Sequence, residues 1–201
     1  MTVPPLKPRK LPVQARSIAT VGIILEAAAR ILEAQGLEAY SSNAVAELAG
    51  VSVGTLYQYF PNKEAMTVAL IERETAILLS EIEAIDPGLG SKKAIDLLIR
   101  ACVAHQMRRP ALARLLDFEE QRLPLRDEQR LMDLRVQNML KLFLDDRPTQ
   151  AAENLQMVSA DILCLIKGIV DGAGERGETD IEGLENRVAR AVFGYLREDG
   201  A

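Results

Sequence analysis

The chain has 201 residues, 48% of them apolar, and a formal net charge of −5, which is enough to bury a core in one domain or two small ones. It has no run of apolar residues long enough to span a membrane, and its first residues, MTVPPLKPRKLP, lack the apolar stretch of a secretory signal, so the cytoplasm is the expected location. Cys102 and Cys164 lie in apolar surroundings, which fits buried thiols in a reducing compartment rather than a disulfide framework.

A net negative charge disfavours a nucleic-acid partner, but the charge is uneven. Residues 1–63 carry six basic and four acidic side chains, the remaining residues 18 and 25. This pattern fits a small nucleic-acid-binding head on an acidic body; an imbalance this small also arises by chance.

In chain order, residues 1–12 hold four of the nine prolines together with Lys7, Arg9 and Lys10, and read as a flexible basic arm over residues 1–15. From about Arg16, Ile18, Val21, Leu25, Ala28 and Leu32 recur at helical spacing, until Gly36 stops the helix. YSSNAVAELAG predicts a short helix with a Ser/Asn cap, ended by Gly50. VSVGTLYQYF predicts a second, capped by Ser52 and broken at Pro61–Asn62. A long helix follows from Lys63 to about Ile85, then helices over Ser91–Met107, Pro110 to before Pro124, and Arg126–Leu144. Another opens at Pro148–Thr149, and a loop is expected at DGAGERGE. Thr179–Glu182 has the spacing of a capping box for the last helix. About nine helices and no strand predict an all-α fold, with a helix-turn-helix head over residues 16–62 and a larger helical domain over 63–201.

Three of the eight aromatic residues, Tyr57, Tyr59 and Phe60, fall between Gly50 and Lys63. Two short helices joined by the tight turn AGVS have the shape of a helix-turn-helix, whose second helix enters the DNA major groove. Gly54 permits close backbone approach. Ser52 and Thr55 suit phosphate oxygens or base edges. Gln58 can pair with adenine and Tyr57 can pack on a thymine methyl. Tyr59 and Lys63 suit phosphates. Leu56 and Phe60, four apart, are expected to pack inward with Val45, Leu48 and Leu25. The two tyrosines fit equally well as rim aromatics of a plain helical bundle.

SSNAVAELAGVSVGTLYQYFPNKEAM resembles the DNA-binding motif of the TetR family of bacterial transcriptional regulators, over about residues 16–66. AGVS, G-T-L-Y-x-Y-F and P-N-K-E stand at that motif's fixed spacing. The resemblance implies a homodimer on a palindromic operator, usually a repressor released by a small molecule. It implies backbone contacts from Ser42, Ser52, Thr55, Tyr59 and Lys63, and approach to bases by Val53, Gly54, Tyr57 and Gln58. Relatives often carry a basic residue near Ala44 and this chain does not. The grip on the backbone would then lean on Lys63, Arg16 and the arm of Lys7, Arg9 and Lys10, which suits an adjacent minor groove or simply a solubilising tail.

In the larger domain, LQMVSADILCLIKGIV is apolar nearly all round. The last helix aligns Leu184, Val188, Ala191, Val192 and Tyr195 on one face. As in the family, these helices suit a two-fold four-helix interface, or alternatively an internal core pair. Cys102, His105, Phe118, Met139 and Phe143 suit an adaptable effector pocket or ordinary core. Arg108, Arg109 and Arg114 suit an anionic group or solvent. Cys102 and His105 share a helix face but find no third metal ligand, and no cofactor is expected. GAGERG has the G-x-G-x-x-G spacing, but a dinucleotide site needs a strand on either side, and Glu175 would crowd a pyrophosphate. One histidine and no nucleophile elbow leave no enzyme reading; Glu119–Glu120 and Asp145–Asp146 read as solvated surface. The expected function is a ligand-responsive, sequence-specific DNA-binding regulator. A helical dimeric protein-interaction module and a non-specific DNA binder are the alternatives.

Overall fold

The computed structural model describes residues 15–144 and 152–198. Among them are nine α-helices and no strand: α1 (Ala15–Ala39), α2 (Ser42–Ala49), α3 (Val53–Tyr59), α4 (Lys63–Glu83), α5 (Ser91–Arg108), α6 (Pro110–Arg122), α7 (Arg126–Leu144), α8 (Ala152–Glu175) and α9 (Ile181–Glu198), with a short 3₁₀ turn at Pro87–Leu89. The basic arm with Lys7, Arg9 and Lys10, the pair Asp145–Asp146 and the expected helix start at Pro148–Thr149 lie outside the described residues.

The described residues pack as two units. One is built from those up to Thr75 together with Ala111–Pro124; the other from Ala76–Pro110 together with those from Leu125 onward. The first unit thus contains α1–α3, the first part of α4, and nearly all of α6. Its core gathers Ile24, Leu25, Ala28, Ile31 and Leu32 of α1, Val45 and Ala46 of α2, Leu56 and Phe60 of the α3 segment, and Met66 and Leu70 of α4. In the second unit, Ile95, Leu98 and Ile99 of α5, Val136, Leu140 and Phe143 of α7, Ile162 and Ile166 of α8, and Leu184, Val188 and Val192 of α9 form one apolar cluster. Ion pairs join its helices at their exposed edges: Arg108 to Glu81 at 2.7 Å, Arg135 to Glu83 at 2.6 Å and Lys167 to Asp133 at 3.4 Å. Exposed pairs of this kind contribute about 0–1 kcal/mol each, so the apolar cluster carries the unit's stability.

Several local expectations are corrected, the first being the burial of Cys164, which is exposed on α8. Ile18 and Leu48 are exposed rather than buried, because α1 enters the core only from Ile24 and α2 turns Val45 and Ala46 inward instead. The DGAGERGE loop is mostly helix, since α8 runs to Glu175. There tertiary packing overrides the low helix propensity of glycine: the Gln106 side chain of α5 lies against Gly174, where a Cβ would force it to move. The α9 cap is Asp180, not Thr179; its carboxylate accepts the Gly183 N–H at 2.9 Å. Glu119 is buried rather than solvated, and Arg122 meets its carboxylate at 2.6 Å.

Leu56→Ala is expected to cost about 2–5 kcal/mol as a buried leucine deletion, whereas exposed Leu48→Ala should stay within about 0.5 kcal/mol. Urea unfolding followed by tyrosine fluorescence reads this, because Tyr40, Tyr57 and Tyr59 all belong to the first unit.

Candidate nucleic-acid interface

Both short helices begin on side-chain caps. Ser41 accepts the Ala44 N–H at 3.2 Å, and Ser52 accepts the Thr55 N–H at 3.0 Å. Between them Gly50 adopts the left-handed conformation, φ 67°, and its N–H reaches the Ala46 and Glu47 carbonyls. A residue with a Cβ is disfavoured there, so Gly50 sets the angle of the turn. Val51 closes it by donating to the Ala46 carbonyl at 3.0 Å.

Leu56 and Phe60 are both fully buried (0%). With that edge of α3 inward, Val53, Gly54, Tyr57 and Gln58 are exposed, and Thr55 and Tyr59 are half-buried beside them. Tyr57 keeps 41% of its surface accessible. Ser52 and Thr55 share a hydroxyl–hydroxyl hydrogen bond of 2.8 Å, which leaves one of their two protons for an outside acceptor. A Cβ at Gly54 would meet only the Ser52 hydroxyl, at 3.7 Å, so the fold itself does not require glycine there. Ser42 is half-buried in the first turn of α2 and Lys63 is exposed at the first residue of α4. Asn62 caps α4 by accepting the Ala65 N–H at 2.7 Å.

Sequence reasoning missed a buried polar cluster behind this surface. Tyr40, between α1 and α2, and Thr67 of α4 are both buried. Their hydroxyls lie 3.4 and 2.9 Å from the Lys63 carbonyl and 3.2 Å from each other. Burial pushes the Tyr40 phenol's pKa up, with the Thr67 hydrogen bond opposing, so it remains a donor throughout the physiological range. The only sequence signal was a tyrosine standing before a serine cap.

The pocket candidates separate. Phe143 is core, and Cys102 and Met139 pack against it in the second unit. His105 is half-buried on the same helix as Cys102. Phe118 belongs to the first unit and is 57% exposed. Arg108 is paired with Glu81. Among the described residues no group of three or more His, Cys, Asp or Glu side chains could hold a metal, and no helix is long and apolar enough to cross a membrane. Burial pushes the Cys102 thiol up to about 12; Asp171 and Glu81 push the same way and Lys167 opposes.

Residues 24–70 match the family described as bacterial regulatory proteins, tetR family, and residues 92–196 match the family described as tetracyclin repressor-like, C-terminal domain. The nucleoid occlusion factor SlmA of Vibrio vulnificus (strain YJ016) is 29% identical over 179 residues, covering 86% of this chain and 85% of its own. Among solved structures, a TetR-family transcriptional regulator from Mesorhizobium loti MAFF303099 superposes with a TM-score of 0.72 at 18% identity, covering 92% of this chain and 98% of its own. The transcriptional regulator FadR from Bacillus subtilis, in complex with stearoyl-CoA, superposes with a TM-score of 0.71 at 20% identity, covering 85% and 96%. At these identities the structural likeness establishes the fold.

The raised Cys102 value predicts a thiol that stays protonated in the folded chain to well above its ordinary range. In a Cys164→Ser variant, maleimide labelling at pH 7.5 should be slow. It should still be rising between about pH 8 and 9.5, where an unfolded thiol levels off, and should be fast at pH 7.5 once the protein is unfolded.

Proposed function

The chain belongs to the TetR family of bacterial regulatory proteins, and from that premise we propose that it is a homodimeric, ligand-responsive repressor released from a palindromic operator by a small molecule. The observation that carries the DNA half of this reading is the orientation of α3: Leu56 and Phe60 are locked inside while Val53, Gly54, Tyr57 and Gln58 present a small, polar and aromatic edge outward. An α-helix presented this way fits the major groove, with Gln58 and Tyr57 at base edges and Ser42, Ser52, Thr55, Tyr59 and Lys63 at phosphates. A glycine at position 54 that the fold does not need is accounted for by close approach of DNA. Two copies related by a two-fold axis place their recognition helices about 34–36 Å apart, in successive major grooves.

For the dimer, the Leu184, Val188 and Val192 face of α9 is already taken up in the chain's own core. The outer face of α8 remains. Ala160, Cys164, Gly168 and Gly172 recur there every four residues, half-buried or exposed, and small side chains allow a partner helix to approach closely. The effector is assigned to the second unit, near Cys102, His105, Met139 and Phe143. That FadR was solved with stearoyl-CoA supports a small molecule as effector in this fold. An effector that binds better to one head spacing shifts the population away from DNA by its difference in affinity.

A second reading comes from the relative SlmA, named a nucleoid occlusion factor and matched along most of both chains. On this reading the chain acts in nucleoid occlusion rather than in transcription. Selection of duplexes from a random pool at near-physiological salt tests both readings. An enriched palindrome whose matches in the source chromosome cluster upstream of genes supports the repressor; matches without that clustering support the second reading; no enrichment rejects both.

On the enriched duplex, Tyr57→Ala should cost about 1–3 kcal/mol of discrimination while leaving the salt dependence of binding nearly unchanged, measured by fluorescence anisotropy against a shuffled duplex. Cys164 should label rapidly with maleimide in dilute protein and become protected as concentration rises through the dimerisation range. Equal rates at all concentrations would exclude α8 from the interface.

A further inference from the structure

We propose that Tyr40 and Thr67 are positioning residues for DNA binding, which hold the Lys63 ammonium and the start of α2 at a fixed spacing along the phosphate backbone. The inference rests on the reading of Lys63 as a phosphate contact. The Lys63 side chain is long and exposed at the first residue of its helix, where backbone geometry is the least constrained by helical hydrogen bonds. The reach of its ammonium to a phosphate is measured from its backbone, so a backbone held from elsewhere keeps that contact in register.

The structure supplies that hold. The Lys63 carbonyl takes the Thr67 hydroxyl at 2.9 Å and the Tyr40 hydroxyl at 3.4 Å, and the two hydroxyls are 3.2 Å apart. A helical threonine bonding back four residues is common and local. Tyr40 is different: it reaches across 23 residues of chain to the same carbonyl. It also directly precedes Ser41, whose side chain caps α2, and Ser42, which opens that helix. One buried phenol therefore ties together the starts of α2 and α4, the two places outside α3 assigned to phosphates. A phenylalanine would fill the same volume and leave the two helix starts joined by apolar packing alone.

The test is a double-mutant cycle on the enriched duplex, with affinity measured across a salt series. Tyr40→Phe and Thr67→Val should each weaken binding by about three- to tenfold, the range of one hydrogen bond. Both should reduce the salt slope towards that of Lys63→Gln, which itself should lose about one phosphate's worth of slope. Thr67→Ser, which keeps the hydroxyl, should restore both values. In the Lys63→Gln background Tyr40→Phe should weaken binding by less than it does alone, because the part of its effect that runs through Lys63 is already lost. Thermal melting of each variant separates loss of fold from loss of positioning; should Tyr40→Phe melt early, the Thr67→Val and Thr67→Ser pair decides. If Lys63→Gln lowers the slope while Tyr40→Phe and Thr67→Val leave it at the wild-type value, or act additively with Lys63→Gln, the positioning role is overturned and the Lys63 contact stands. If Lys63→Gln leaves the slope unchanged, the phosphate contact itself falls, and the positioning role with it.

Discussion

The outward edge of α3 depends on the burial of two side chains, Leu56 and Phe60. Helix α3 has seven residues, well under the length at which a helix holds together alone in water. Its cap and its packing therefore have to supply what length does not. The four-residue spacing of Leu56 and Phe60 puts both on one edge, and complete burial of both sets the rotation of the helix about its axis. That rotation decides which residues face outward. Tyr57 and Gln58 are presented because their neighbours in sequence are not. A slip of one residue would bury Tyr57 and expose the core leucine.

Around this pair the first unit arranges helix starts as much as helix bodies. Ser41, Ser52 and Asn62 each satisfy an otherwise orphaned N–H, and the Tyr40–Thr67–Lys63 cluster joins two of the three starts from behind. Helix starts carry unsatisfied donors and a partial positive charge, which suits phosphates. This is how a chain with net charge −5 presents a surface compatible with DNA: local dipoles and a few placed donors act where the overall charge does not. Helix α6 belongs to the same unit and contributes Glu119, a buried carboxylate. Arg122, one turn on, meets it with hydrogen bonds from two nitrogens, and removing such a partner from a buried carboxylate is strongly destabilising.

The two cores differ in how visible they were beforehand. In α9, Leu184, Val188 and Val192 repeat every four residues, and the face was plain; its partner was not. Periodicity reports that a face must be covered and is silent about whether the cover comes from the same chain or a second copy. Here α5 and α8 supply the cover. Ile18 and Leu48 fail for a related reason: an apolar residue on roughly the correct face is buried only if another element reaches that turn. The glycines of DGAGERGE were misleading because propensity favours a loop, while packing of α8 against α5, with the Gln106 side chain lying over Gly174, keeps the segment helical.

By itself the sequence determined the all-α class, most helix limits, a Ser/Asn cap for α2, the Ser52 cap of α3, the stop at Gly50 and the inward pair Leu56 and Phe60. Each of these is set by residues within about one helical turn of each other, so local chemistry is sufficient. Only the tertiary structure decided that Glu119 is buried, that α8 extends through two glycines, that α6 packs with the first unit, and that Tyr40 reaches the Lys63 carbonyl. These depend on side chains brought together from distant parts of the chain, and the chain's spacing carries no record of which distant group will arrive.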